Sequence, residues 1–515
     1  MRNILEVAAG LGLSCDDLIL YGQQKAKIKL SAFSSRQKKG KYILVSAITP
    51  TKFGEGKTLT TIGLSMALNS LGKKAVSCIR QPSLGPYLGV KGGGTGGGKC
   101  RALPEDDINL HFTGDNYAVS AAHNFVASVI DNHLFRGNEL GFDLSEINWM
   151  RVSDVSDGAL REIQIGLNWG HKSIAFPRKS GYAITAASEL MSILALSNNI
   201  DDFKQKLSSV VLGFSKNKQP ITAQDMSLSG AMFVLLKDAL MPNLVQTSEG
   251  TPCIVHTGPF ANISIGSSSI IADKIALNLA DYVVTESGFG MDCGGEKFFH
   301  IKSRAFGHSP DLIVLVVTVR AFKEYGENNL RIHIENAKSF NRPVLVCINH
   351  REEDAKQDLL YLREKAIEYG ANEVGLSDMW ALGSEGGMDL AEKAVMLTNK
   401  ASGEVAYTYD LADSIQQKIE KLAVSFYRAS EVEFSDIARE KIKLFEGEGY
   451  SHLPICVAKT QFSIGYDKTL GPSPESYVFK VNDAFLSAGA GFVVLLCGNI
   501  SVLPGLPSHP RGLDF

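Results

Sequence analysis

The first pattern with chemical meaning is a glycine-containing loop that ends in a lysine and a threonine. The apolar run 41–48 is followed by the loop TPTKFGEGKT (49–58) and then by a predicted helix. Such a turn between a strand and a helix N-terminus directs backbone N–H groups and the positive helix end toward one point, which suits a phosphate. Lys57 can then reach the β- and γ-phosphates, and the Thr58 hydroxyl can ligate Mg²⁺.

This 49–58 loop matches the strict phosphate-binding spacing only in part. That spacing would place a glycine at position 51, where the chain has Thr51, so the match is limited to Gly54 and the final Gly-Lys-Thr. A glycine turn that merely starts a helix is the alternative. The order of strand, loop and helix favours the phosphate site.

An arginine and a run of glycines follow the next apolar run, AVSCI (75–79). Six of the seven residues 92–98 are glycine, and glycine weakens helix and strand interiors because it loses the most backbone entropy on folding. That segment is therefore a flexible connection or a backbone cradle for a ligand. Arg80 stands where the second strand of a doubly wound sheet would end, at the edge that lines ligand crevices. Its guanidinium can grip a carboxylate or an acyl phosphate through two hydrogen bonds, and a surface ion pair is the alternative.

Two more side chains are candidates for ligand binding. Asp115 follows Thr-Gly and could present a carboxylate to a metal–nucleotide complex or a protonated amine, unless it only caps a helix. Trp380 lies beside a glycine-rich turn and could stack on a flat heteroaromatic ligand, although core packing is the usual role of a lone tryptophan.

The elements that must position these residues are predicted by short apolar runs that alternate with amphipathic stretches. Near-continuous β-branched runs belong to strands whose sheet is covered by helices on both faces. The clearest runs are 41–48, 75–79, 210–214, 282–286, 311–319, 342–349 and 491–498. We therefore predict an α/β protein with a mainly parallel sheet as its core and additional α/β domains. Weak boundaries divide the chain into residues 1–300, 301–405 and 406–515.

The composition excludes several classes of function. The 515 residues include 52 basic and 55 acidic side chains, a net charge of −3, so no general field attracts nucleic acid or an anionic membrane. Hydrophobic residues make up 44% and charged residues 21%, as in a globular chain of several domains. The eight cysteines form no C-x-x-C pair, and no signal peptide or membrane span is recognisable, so we expect a cytoplasmic protein.

Several co-linear motifs between about residue 40 and about residue 509 resemble the formate–tetrahydrofolate ligase family, as a divergent member. The most specific are RQPSLGP, DINLHFTGD, NLVQTSEGTP, GPFANI, ADYVVTESGFG, LPICVAKTQFS and LSAGAGF. The resemblance implies a P-loop NTPase-like core in residues 1–300, a folate-site contribution from 301–405 and a C-terminal α/β domain over 406–515. It further implies that ATP phosphorylates formate and that the N10 amine of tetrahydrofolate attacks the resulting formyl phosphate, which gives 10-formyltetrahydrofolate, ADP and phosphate.

The same resemblance implies roles for individual residues. Lys57 would act on the transferring phosphoryl group and Arg80 on formate or the acyl phosphate, with Asp115 as a third catalytic candidate. Leu376 and Trp380 would line the pterin site. The ATP-binding residues would be Thr51, Lys52, Phe53, Gly54, Glu55, Gly56, Lys57 and Thr58, and Thr58 would also ligate Mg²⁺. A homotetramer is implied as well, and a monovalent cation is a further candidate cofactor.

Departures from the family pattern keep an alternative open. Tyr117 and Ile265 stand where the family has histidine, and Arg351 stands where an aromatic residue would face the pterin. The alternative is a re-specialised or degenerate homologue. It would be an ATP-dependent ligase for another small carboxylate, or a nucleotide-binding protein without ligase activity.

Overall fold

The computed structural model describes residues 1–33, 40–89, 94–167, 177–400, 403–498 and 500–514. Gly92 and Gly93 of the glycine run lie outside the described residues. The strands are β1 (Leu18–Tyr21), β2 (Lys25–Ile28), β3 (Lys41–Ala47), β4 (Ala75–Ile79), β5 (Gly96–Gly97), β6 (Cys100–Leu103), β7 (Phe142–Ile147), β8 (Arg151–Ser153), β9 (Ile163–Ile165), β10 (Arg178–Ser180), β11 (Tyr182–Ile184), β12 (Val211–Ser215), β13 (Pro220–Thr222), β14 (Asn243–Thr247), β15 (Pro252–Val255), β16 (Tyr282–Glu286), β17 (Leu312–Val317), β18 (Val344–Asn349), β19 (Glu373–Ser377), β20 (Glu431–Phe434), β21 (Ile455–Ala458), β22 (Val478–Val481), β23 (Asp483–Ser487) and β24 (Phe492–Leu496).

The α-helices follow the same chain order. They are α1 (Ile4–Leu11), α2 (Lys57–Ser70), α3 (Gly85–Leu88), α4 (Glu105–Asn109), α5 (Asp115–Phe135), α6 (Glu189–Leu196), α7 (Ile200–Ser208), α8 (Ser229–Leu236), α9 (Ile270–Leu279), α10 (Arg304–Phe306), α11 (Val319–Lys338), α12 (Lys356–Glu368), α13 (Met379–Leu382), α14 (Met388–Lys400), α15 (Ile415–Ser425) and α16 (Asp436–Gly447). None of the helices in the described ranges is long and apolar enough to cross a membrane.

A large central sheet organises the molecule. Its strand order is β1-β2-β14-β15-β4-β16-β3-β17-β18-β19, with β6 also paired to β14 and β5 paired to β6. Strands β15, β4, β16, β3, β17, β18 and β19 are mutually parallel, whereas β1, β2, β6 and β14 pair antiparallel. The predicted α/β class with a mainly parallel sheet is confirmed.

The sheet separates two hydrophobic cores. Along β3, Tyr42 and Leu44 pack into one cluster, and Ile43 and Val45 pack into the other. Every residue of β4, β16, β17 and β18 is buried, which explains why these strands are mainly apolar on both faces instead of alternating between apolar and polar residues.

Smaller sheets follow the central one in the C-terminal region. Strand β20 pairs with β22, and β24 lies between β21 and β23. The division at residues 300 and 405 stays a prediction. The central sheet takes strands from both sides of residue 300 and ends with β19, before residue 405.

Candidate active site

The carboxyl ends of the parallel strands gather the polar residues of interest at one edge of the sheet. The 49–58 loop follows β3, Arg80 follows β4, and Glu286 is the last residue of β16. Because β16 lies between β3 and β4 in the sheet, these three chain segments, distant in sequence, meet there. This edge is where ligands bind in open α/β sheets.

The 49–58 loop bends tightly before α2. Gly54 and Gly56 have φ of 77° and 84°, a left-handed conformation that glycine adopts without steric cost. At Gly56 a side chain would have no room, because a Cβ would lie 2.4 Å from Asn349 Nδ2. Asn349, the last residue of β18, donates from Nδ2 to the carbonyl of Glu55 at 2.9 Å. A neighbouring strand therefore fixes the shape of the loop.

The Glu55 side chain closes the loop from the inside. It is 1% exposed, with Oε1 accepting the backbone N–H of Thr51 at 2.7 Å and Oε2 accepting the hydroxyl of Thr318 at 2.5 Å. Both carboxylate oxygens of Glu55 are thus used within the protein, where they hold the loop in shape.

The tip of the loop is open to solvent. Phe53 is 67% exposed, and the Arg320 guanidinium lies over its ring with Cζ 4.6 Å from the centroid. Lys52 Nζ lies 4.9 Å from the same centroid, and Arg320 also donates to the carbonyl of Gly54 at 3.2 Å. Two cations, Lys52 from the loop and Arg320 from α11, therefore lie beside the loop tip.

Two cations and a carboxylate converge where the loop meets α2. Thr58 Oγ1 donates to Glu286 Oε2 at 2.7 Å, and Arg80 Nε lies 3.8 Å from Glu286 Oε1. Burial lowers the pKa of the Lys57 ammonium, the carboxylates of Glu286 and Glu55 oppose this shift, and the Arg80 guanidinium adds to it. Lys57, Thr58 and Arg80 are therefore brought together around Glu286, in an arrangement suited to an anion with several oxygens.

The Arg80 guanidinium is only partly used by the protein. Its side chain is 27% exposed, and Nε, although buried, has no hydrogen-bond partner in the described ranges. At Gly288 a Cβ would lie 3.2 Å from Arg80 Nη1, so glycine there leaves room for the side chain. The ion pair with Glu286 exists, yet it leaves donors of Arg80 available to a ligand.

Trp380 is not a core side chain. Its indole is 62% exposed on α13, and Leu376, on β19, is 39% exposed. The backbone carbonyl of Trp380 accepts the N–H of Lys99 at 2.9 Å. A Cβ on Gly98, which has φ of 55°, would lie 2.7 Å from Trp380 Cγ. The described end of the glycine run therefore packs against the tryptophan and leaves the indole open for stacking.

Asp115 lies in a separate buried cluster. Lys27 Nζ donates to Asp115 Oδ1 at 2.6 Å, and Asn243 Nδ2 donates to Oδ2 at 2.8 Å. Both carboxylate oxygens are thus bound by protein groups. The helix-cap alternative is wrong for Asp115, because Gly114 is the N-cap of α5 and Asp115 is its first residue. A catalytic role for Asp115 stays a prediction.

Sequence reasoning missed two residues that shape this site, Glu286 and Asn349, and it named Glu55 only as one of the ATP-binding loop residues. Glu286 joins Thr58 to Arg80, Glu55 braces the loop, and Asn349 pins it from β18. The available signal was the polar residue that ends each of two apolar runs, YVVTE and RPVLVCIN, because strand ends are where such sheets present side chains to ligands.

Comparison with known proteins adds the family context. A family model described as formate–tetrahydrofolate ligase matches residues 1–515. The formate–tetrahydrofolate ligases of Thermotoga petrophila and Thermotoga maritima are each 48% identical to this chain, and the alignments cover 100% of the chain and 98% of each relative. The Roseiflexus castenholzii ligase of the same name is 47% identical over 99% of the chain and 95% of its own length.

Proposed function

Since this chain belongs to the formate–tetrahydrofolate ligase family, we propose that it joins formate to tetrahydrofolate at the expense of ATP, through formyl phosphate. The products are 10-formyltetrahydrofolate, ADP and phosphate. The observation that carries the proposal is the convergence of Lys57, Thr58 and Arg80 on Glu286 at the end of the glycine-containing 49–58 loop.

The first half-reaction needs positive charge at two places. Formate is a poor electrophile because hydroxide is a poor leaving group, and phosphorylation replaces hydroxide with phosphate. A formate oxygen attacks the γ-phosphorus of ATP, and the bond to the β-phosphate oxygen breaks. Lys57 stabilises the charge on the transferring group, and Arg80 holds the carboxylate through its planar guanidinium.

The residues at the loop fit Mg²⁺. Because Thr58 Oγ1 gives its hydrogen to Glu286 Oε2 at 2.7 Å, its lone pairs remain for a cation, and oxygen ligands are those that Mg²⁺ prefers. Thr58 would hold the ion, with Glu286 orienting the hydroxyl. When bound, Mg²⁺ neutralises phosphate charge.

The second half-reaction needs the pterin held near the acyl phosphate. The exposed indole of Trp380 and the exposed side chain of Leu376 supply an apolar surface for a flat ring. The N10 amine attacks the formyl carbon, the C–O bond to phosphate breaks, and phosphate leaves with both electrons. Asp115 stays a candidate for accepting the amine proton, although its oxygens are bound by Lys27 and Asn243.

Other features of the proposal are carried by the family resemblance alone. They are the P-loop NTPase-like core, the homotetramer and a monovalent cation as a further cofactor. The strand–loop–helix geometry of 41–70 is compatible with the first of these.

A coupled assay of ADP release, with formate and tetrahydrofolate added singly and together, tests the proposal. Release that needs both substrates is expected from the wild type. Lys57→Ala should lower the rate about 10²–10³-fold with the fold intact, because it removes charge stabilisation and not packing. Wild-type turnover in the variant, or ADP release indifferent to formate, would overturn the assignment.

A further inference from the structure

A buried chain of polar side chains connects the C-terminal region to the 49–58 loop. Lys459 Nζ donates to Asp292 Oδ2 at 2.5 Å, and Asp292 Oδ1 lies 3.9 Å from His333 Nε2. That nitrogen shares a hydrogen bond of 3.1 Å with Thr49 Oγ1, at the start of the loop. All four side chains are buried. We propose that Lys459 is a positioning residue for the 49–58 loop, acting through Asp292, His333 and Thr49.

The four side chains of this buried polar chain come from four separate segments of the protein. Lys459 directly follows β21, Asp292 lies in the π-helical turn Met291–Gly295, His333 lies on α11, and Thr49 follows β3. Short π-helical segments often occur at functional sites. Because each link is a long-range contact, the arrangement is not a local cap or turn motif.

Space and polarity around the carboxylate point to more than packing. A Cβ on Gly290 would lie 2.4 Å from Asp292 Oδ1 and 3.1 Å from His333 Cε1, so only glycine leaves this contact undisturbed. In the described part of the chain, Asp292 Oδ1 and His333 Nδ1 have no hydrogen-bond partner. Leaving a buried polar atom unpaired costs about 1–3 kcal/mol, which is hard to explain if the cluster served stability alone.

Burial and the charges beside the ring together set the protonation of His333. Burial lowers the pKa of His333 to about 4; Asp292 opposes this shift, and Lys459 and Arg428 add to it. The imidazole is therefore neutral at neutral pH. Thr49 Oγ1 also receives the N–H of Asn329 at 2.8 Å, so the hydroxyl oxygen is held from two sides.

Removing the Lys459 ammonium would change that state. The Asp292 carboxylate would lose its counterion and would draw a proton onto the ring 3.9 Å away. An imidazolium donates from both nitrogens, so Nε2 would no longer accept the hydrogen of the Thr49 hydroxyl. The Thr49 oxygen would then have to accept from both His333 and Asn329, and its own hydrogen would need another acceptor. The start of the loop would then shift relative to α2.

Lys459→Met is the direct test, and it rests on the proposed ATP site. We expect kcat/KM for ATP to fall about 10- to 100-fold, because small displacements of a phosphate-binding group are costly, with the KM for tetrahydrofolate nearly unchanged. The pKa of His333 should rise, because the Asp292 charge is no longer offset by Lys459, so the pH profile should show this ionisation at a higher pH than in the wild type. Asp292→Asn added to Lys459→Met should reverse that rise, since the Asp292 charge that favours the imidazolium is then gone.

Lys418→Met is the matched control. Lys418 is likewise buried in the C-terminal region, and its ammonium donates to the backbone carbonyls of Ser451 and Leu453, as that of Lys459 does to the carbonyls of Thr460 and Ser463. Within the described residues, only Lys459 of the two also donates to a buried carboxylate, that of Asp292. Lys418→Met should lose stability without the rise in the pKa of His333 and without the effect on ATP. An equal kinetic loss in both variants, or a Lys459→Met enzyme with wild-type kcat/KM and pH profile, would overturn the proposal.

A readout without turnover separates this proposal from the proposed function. The His333 imidazole signal, assigned in NMR spectra by its absence from His333→Gln, should titrate below pH 5 in the wild type and at a higher pH in Lys459→Met. If the wild type lacks formate-dependent ADP release, the proposed function fails. The titration still tests whether Lys459 acts on His333 through Asp292. If Lys459→Met does not fold, Thr49→Val replaces it, and unchanged ATP affinity in that variant would contradict the proposal.

Discussion

At the scale of single residues, Arg80 can be tested by its shape as well as its charge. Arg80→Lys should lower formate-dependent activity almost as much as Arg80→Ala, because an ammonium cannot reproduce a planar, two-bond grip on a carboxylate. The KM for ATP should change little. Initial rates at varied formate give the comparison. A lysine variant with full activity would reduce Arg80 to the ion-pair partner of Glu286, 3.8 Å away.

Trp380 is a second residue whose role can be isolated. Trp380→Ala should raise the KM for tetrahydrofolate about 5- to 30-fold, the equivalent of about 1–2 kcal/mol of stacking. The melting temperature should hardly change, because the indole is mostly exposed. Steady-state kinetics and thermal unfolding measure the two effects.

Trp149 provides the contrasting control. It is buried, stacks on His123 with ring centroids 4.1 Å apart and donates to a backbone carbonyl at 3.0 Å. Trp149→Ala should lower the melting temperature strongly and leave the KM for tetrahydrofolate alone in whatever enzyme folds. The reverse pattern, with Trp380→Ala as the unstable variant, would contradict the folate-stacking role.

At the scale of elements, the 49–58 loop depends on glycine at a defined place. Gly56→Ala should raise the KM for ATP about tenfold or more, because a Cβ would lie 2.4 Å from Asn349 Nδ2 and the backbone has φ of 84°. Gly72→Ala is the matched control: its φ is 74°, but no atom lies within 4 Å of the added carbon. It should cost stability only. Equal KM values for ATP in the two variants would show that loop shape is unimportant.

The elements themselves were largely predictable. The run 282–286 is β16, and the run 41–48 contains β3. The helix predicted after the 49–58 loop is α2, Lys57–Ser70. These elements are predictable because the local hydrophobic pattern and the flanking glycines indicate them, and a single sequence shows both directly.

Long-range pairing was not predictable in the same way. Nothing local in β16 indicates that it lies between β4 and β3, and this order is what brings Glu286 to Arg80 and Thr58. Likewise, the partner of Asp115 is Lys27, 88 positions away, and the partner of Thr49 is His333, 284 positions away. Such contacts follow from tertiary packing, so the candidate site was predicted as separate motifs and not as one group of side chains.

At the scale of the whole molecule, the residues of the proposed reaction lie along the carboxyl ends of the parallel strands of the central sheet. The 49–58 loop follows β3 near the middle of the parallel strands, Arg80 follows β4 on one side, and Trp380 follows β19 at the far edge. The C-terminal region reaches the carboxyl ends of these strands from outside, through Asn329, which donates to Ser473 at 3.0 Å and to Thr49 at 2.8 Å. This arrangement would suit the transfer of a formyl group by way of an activated carboxylate.

The fate of the formate oxygens tests that transfer most directly. With formate labelled by ¹⁸O at both oxygens, a reaction through formyl phosphate leaves one labelled oxygen on the phosphorus, because N10 attack breaks the C–O bond and not the O–P bond. Mass spectrometry of the phosphate released in a single turnover, with tetrahydrofolate present, should therefore find one ¹⁸O per phosphate. Phosphate that carries no ¹⁸O while labelled 10-formyltetrahydrofolate accumulates would contradict an acyl phosphate.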